Sequence, residues 1–102
     1  MSFKKQYLKS EPVCRVTFRL PAKIAKDADK VNIVGDFNDW NLYAIPLKKL
    51  KDGTFTVTLK LETDREYQFR YLIDESTWEN DREADKYVSS PYGNEENSVI
   101  VV

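Results

Sequence analysis

The sequence predicts an all-β domain built as a two-sheet antiparallel sandwich. Residues alternate between apolar and polar in three separate runs, Val13–Leu20, Thr54–Leu61 and Glu66–Ile73. Turn signals recur roughly every 8–12 residues and delimit about seven short strands, the pattern of a sandwich rather than of alternating strands and helices. The only helical signal is one short turn in Ala-Lys-Ile-Ala-Lys, inside the charged connection Ala22–Lys30.

In the first run Cys14, Val16, Phe18 and Leu20 share one face, and Arg15, Thr17 and Arg19 the other. Pro21 ends it, because proline has no amide to donate to a ladder. Val31–Val34 is the next strand, stopped by Gly35, and Leu42–Leu50 holds a short strand interrupted by Pro46. Asp52-Gly53 marks a hairpin turn. It leads into a strand with Phe55, Val57, Leu59 and Leu61 facing in and Thr54, Thr56, Thr58 and Lys60 facing water. After the turn at 62–65, Tyr67, Phe69, Tyr71 and Ile73 share a face, with Gln68, Arg70 and Leu72 opposite. Ser98–Val102 closes the chain as a β-branched strand. The predicted core holds Cys14, Val16, Phe18, Phe55, Val57, Leu59, Phe69 and Tyr71. Residues 1–12 show no partner pattern and are expected to be loose, with 13–102 forming the single domain.

Composition narrows the function. A chain of 102 residues is one small domain, and 41% hydrophobic with 13% aromatic residues is enough for a core. Sixteen basic residues against 17 acidic give a net charge of -1, which argues against nucleic acid as partner. The first residues carry no long apolar run, so neither a secretory signal nor a membrane span is read there, and a cytoplasmic location is the default expectation. Cys14 is the single cysteine, so it forms no internal disulfide and is expected to be buried and inert. Catalysis is not expected. The chain has no histidine, one cysteine and three scattered glycines, so imidazole triads, thiolate zinc sites and glycine-rich phosphate loops are all absent. Asp36 and Asp39 share one short turn rather than flanking a deep cleft as glycosidase carboxylates do. No cofactor and no metal site are expected.

The two tryptophans carry the functional signal. Trp40 and Trp78 each follow a strand-like run and sit in a polar turn. An indole there is a flat platform for the apolar C–H face of a sugar ring, with polar neighbours to hold the hydroxyl rim. A plainer reading packs each ring across the end of the sandwich as a cap on the core. Arg70, on the outward face of its strand, is read either as a donor to such a ligand or as the cross-strand partner of Glu66 or another acid. Asn97 is read either as a ligand contact or as a turn former. Phe37 is read as core and Asn38 as turn former, and the charges at Asp81, Arg82, Glu83, Asp85 and Lys86 as a solvated face.

Gly35-Asp-Phe-Asn-Asp-Trp40, Tyr67-Gln-Phe-Arg-Tyr-Leu-Ile-Asp74, Trp78-Glu-Asn-Asp81 and Asn97-Ser-Val-Ile-Val101 together resemble the family-48 carbohydrate-binding modules. These include the glycogen-binding domains of AMP-activated protein kinase β subunits and the N-terminal early-set domains of isoamylases and branching enzymes. The resemblance runs from about Val13 to Val102. It implies an immunoglobulin-like early-set sandwich that binds α-1,4-glucans such as glycogen, starch or maltooligosaccharides without catalysing their turnover. It further implies that Trp40 and Trp78 stack on glucose rings and that Arg70 and Asn97 bond hydroxyls. Arg70 stands where the family usually has lysine, whose donor geometry differs. Tyr92 stands in the loop where the kinase domains place a leucine that threads a ring of sugars. The turn before Trp78 and the loop at 92–96 are longer than in the kinase subunits. The family's catalytic partners are separate barrels of about 250 residues. A separate glucan-active enzyme is therefore an expected partner. The alternative is an early-set module that docks on such an enzyme without useful sugar affinity.

Overall fold

A computed structural model describes residues 3–90 and 95–102. Among them lie nine strands: β1 (Phe3–Tyr7), β2 (Val13–Leu20), β3 (Val31–Gly35), β4 (Lys48–Lys49), β5 (Phe55–Glu62), β6 (Glu66–Ile73), β7 (Thr77–Glu79), β8 (Lys86–Ser89) and β9 (Glu96–Val101). One helical turn, α1 (Ala22–Ala25), follows β2, and a 3-10 turn at Asp36–Asn38 follows β3. Two antiparallel sheets form, ordered β1-β2-β5-β4 and β3-β6-β9-β8, with β7 also paired to β6. The fold is the two-sheet sandwich that the alternation predicts.

The sheets close on the apolar faces read from period two. Cys14, Val16, Phe18 and Leu20 are buried from β2, Phe55 and Leu61 from β5, and Tyr67, Phe69, Tyr71 and Ile73 from β6. Phe69 centres an aromatic cluster, with Phe18 at 5.2 Å and Tyr71 at 5.8 Å between centroids. Val57 and Leu59, predicted as core, are only partly buried against it. The two-residue β4 pairs with Thr56 and Phe55 alone, so β5 runs on past it as an open edge.

Three further expectations are corrected. In place of a loose segment, Phe3–Tyr7 pairs with β2 from Phe3↔Phe18 to Tyr7↔Cys14. Lys5 holds this edge strand to the other sheet, donating from Nζ to Asp85 at 2.7 Å and to the Val101 carbonyl at 2.9 Å. Trp78 lies in β7 rather than in a turn, opposite Leu72. Asp81 is not part of a solvated face, being 1% exposed. It accepts the Tyr71 hydroxyl at 2.9 Å, and its own amide donates to Ser98 Oγ at 2.8 Å. A buried carboxylate needs such donors, because an uncompensated one costs several kcal/mol.

Candidate functional site

The site forms where β6 changes neighbours. Along one edge β6 pairs with β9 as far as Phe69↔Ser98, then with β7 from Tyr71↔Glu79. Arg70 stands at the handover, between Asn97 of β9 and Trp78 of β7. Along its other edge it pairs with Val34, one residue before Gly35. Gly35 lies flat on β6, where an added Cβ would collide with the Gln68 carbonyl and sit 2.7 Å from Phe69 Cβ. That close approach delivers the 3-10 turn to the same stretch of β6. Asn38 secures the turn, accepting the Gly35 amide and donating to the Ile33 carbonyl, each at 3.0 Å. Asp39 and Trp40 then take left-handed backbone, φ 54° and 57°, which swings the indole back across the sheet. Phe37 is half-buried, 6.0 Å from Phe18 and 6.1 Å from Tyr67.

The result is a groove of about 650 Å³ on the outer face of the β3-β6-β9-β8 sheet. Trp40, Arg70, Trp78 and Asn97 line it together, with Asp36, Gln68, Ser90 and Glu95. The chain's two tryptophans therefore share one surface, as the platform reading requires. Trp78 is 41% exposed, while Trp40 is half-buried. The Trp40 indole N–H donates to Asp36 Oδ1 at 2.9 Å, and Asp36 Oδ2 accepts the Gln68 amide at 2.8 Å.

Arg70, read as facing solvent, does not, and Asn97 is buried beside it. Arg70 is 8% exposed and Asn97 4%. Parity put Arg70 on the correct face, but β6 is buried on both faces from Phe69 to Ile73. Arg70 Nε donates to Asn97 Oδ1 at 2.6 Å, and Asn97 Nδ2 donates to Gln68 Oε1 at 3.0 Å. Nη1 is paired with Glu95 at 2.7 Å, a carboxylate whose side chain is 69% exposed. Glu95, not Glu66, is thus the acid on Arg70; Glu66 pairs with Lys86. The guanidinium carbon lies 6.0 Å from the Trp78 ring centroid, in cation–π range. Nη2 has no partner among the described residues. Tyr92 lies outside the described residues.

A buried polar network behind the groove anchors β7. Ser98 Oγ donates to Asn80 Oδ1, and Asn80 Nδ2 donates to the Glu96 carbonyl, each at 2.8 Å. The Tyr87 hydroxyl donates to the Asp81 carbonyl at 2.6 Å. Burial first, then the charge and hydrogen bond of Asp81, push the Tyr71 phenol well above its ordinary value of 10.0. Nothing in the residue string Asp81-Arg82-Glu83 signals this; only the long-range pairing of Tyr71 and Ser98 creates it. Among the described residues no three acids or thiols cluster to hold a metal ion. Likewise no helix among them is long and apolar enough to cross a membrane.

Two indoles and a few convergent polar groups around one groove are the lining of a ligand site. The family comparison agrees: residues 10–93 match the carbohydrate-binding module 48 family (isoamylase N-terminal domain), and the chain belongs to that family. The match includes Trp40, Arg70 and Trp78 and ends before Glu95 and Asn97. A comparison with curated proteins finds no match.

Proposed function

We propose that the groove binds α-1,4-linked glucans, with glucose rings stacked on Trp40 and Trp78 and hydroxyls held by Arg70 and Asn97. The observation that carries this reading is the convergence of both tryptophans with Arg70 and Asn97 on one groove. The indoles supply rigid apolar area at little entropic cost, and Nη2 of Arg70, without a partner among the described residues, is a donor for a hydroxyl rim. The module acts by attachment, bringing a separate glucan-active enzyme to its polymer. The test is a titration with maltoheptaose and with β-cyclodextrin, followed by tryptophan fluorescence and by amide shifts at Trp40, Arg70 and Trp78. Saturable binding with shifts confined to the groove supports the reading.

One observation favours a second occupant. Glu95 already holds Arg70 Nη1 at 2.7 Å, so part of the cation's capacity is spent within the domain. If millimolar oligosaccharide produces no shift, the groove is a docking surface for an enzyme rather than for its polymer.

A further inference from the structure

The outer face of the β1-β2-β5-β4 sheet lies across the sandwich from the groove, and its chemistry is different. The register places Gln6, Arg15 and Lys60 in one row across β1, β2 and β5, and Lys4, Thr17 and Thr58 in the next. Arg19, Thr56 and Lys48 make a third row across β2, β5 and β4. Lys4, Arg15, Arg19, Lys48 and Lys60 are all exposed. None of these five makes an ion pair among the described residues. Acids occur only at the borders. Asp52 accepts the Thr54 amide at 2.9 Å and feels the charge of Arg19 without forming an ion pair, and Glu62 is 3.4 Å from Arg65.

This arrangement works against the sheet. Arg15 and Lys60 are directly opposed, and like charges in opposed positions destabilise a strand pair. A chain with 17 acidic residues has the means to neutralise five cations. Instead its acids lie elsewhere, Asp36 and Glu95 in the groove among them. Concentrating one sign on a flat face creates a local field that a net charge of -1 conceals.

We propose that this face docks a short acidic segment of a partner protein, leaving the groove free. The array spans roughly 13 Å along β2 and about 14 Å across four strands, room for some four or five extended residues. Two arginines present forks that match carboxylates, and the Thr17–Thr58 hydroxyl pair, 2.9 Å apart, offers uncharged donors between them. The nine positions include no aromatic or apolar side chain, so the face has nothing on which a base would stack and nothing to insert into lipid. A long polyanion would also meet the acidic remainder of the domain, whereas a short segment feels only what lies within a Debye length, about 8–10 Å.

The test adds labelled octaglutamate to the full chain and follows anisotropy and amide shifts. Expected are shifts at Arg15, Thr17, Arg19 and Lys60, and binding weakened several-fold between ~50 and ~300 mM salt. Arg15→Glu with Lys60→Glu weakens binding at least ~tenfold, about 1.4 kcal/mol. Arg15→Gln with Lys60→Gln, which cannot fail through new repulsion, gives an intermediate loss. Maltoheptaose shifts at the groove stay unchanged in both variants, so this result stands apart from the glucan reading. Shifts that map elsewhere, or no shift at millimolar peptide, overturn the proposal. So does octathymidylate acting on the same residues at lower concentration, or self-association through this face in sedimentation.

Discussion

Arg70→Ala is the sharpest probe of the domain, because one side chain joins the groove to the fold. Its removal leaves Asn97 Oδ1 without its 2.6 Å donor in a residue only 4% exposed. A buried acceptor stripped of its partner costs about 1–3 kcal/mol. The lost pair with Glu95 adds little, about 0.2–1 kcal/mol, because that carboxylate is 69% exposed. The loss of the Trp78 contact adds about 0.5–1 kcal/mol. The expected destabilisation is therefore about 2–5 kcal/mol, or a Tm lowered by roughly 10–25 °C for a domain of this size. Glucan affinity falls as well, by about 1–2 kcal/mol, measured at a temperature where the variant remains folded. Calorimetry and a denaturant titration read the first effect, and a maltoheptaose titration reads the second. A variant melting within about 2 °C of wild type would show that Arg70 is a surface donor and not a buried tie between β6 and β9.

Trp78→Ala should weaken glucan binding by roughly 1–3 kcal/mol, tenfold to hundredfold, with folding retained because the ring is 41% exposed; unchanged affinity in a folded variant would remove the site. Gly35→Ala should cost at least about 1–3 kcal/mol in a urea titration, since the methyl meets the β6 backbone, and a stability equal to wild type would contradict that packing. The Tyr71 phenol is held above 10.0 in the folded state, so its stabilising contribution is complete below that value and is lost as pH rises beyond it. Unfolding free energy should thus be flat from about pH 7 to 9 and decline above about 10, and Tyr71→Phe should remove that part of the decline. Neutral glucan binding should change less than about twofold between ~50 and ~300 mM salt, because no counterions are released.

What was legible in the sequence is what period two records. β2 and β5 bury one face and β6 buries both from Phe69 to Ile73, and strict alternation named the residues that point into the sandwich. β1, β7 and β8 escaped, being three to five residues long and without a clean apolar face. For the site, parity chose the correct side of β6 for Arg70. Burial depends on what covers that side, which adjacent residues do not encode. Asp81 shows the same limit. Flanked by Asn80 and Arg82 it reads as wet, yet Tyr71, Tyr87 and Ser98 enclose it. Lys5 reaches residues 80 and 96 positions away, a tie that no local pattern announces.

The groove is built before any ligand arrives, and this bears on how it would bind. Trp40 is held by its indole bond to Asp36, and Asp36 in turn by the Gln68 amide. Trp78 is held by strand pairing to Leu72 and by the Asn80–Ser98–Asp81 network immediately after it. Arg70 is fixed by Asn97 and Glu95. Ordering a rotamer-rich side chain on binding costs about 0.5–1.5 kcal/mol, and here that cost was met on folding. On the glucan proposal, affinity is then limited by the apolar area of two indoles and by how many hydroxyls Arg70 and Asn97 still reach. It follows that a substitution at Asp81, outside the groove, loosens Trp78 and weakens binding without touching the ligand. A substitution at Arg15, on the opposite sheet, leaves the groove as it was.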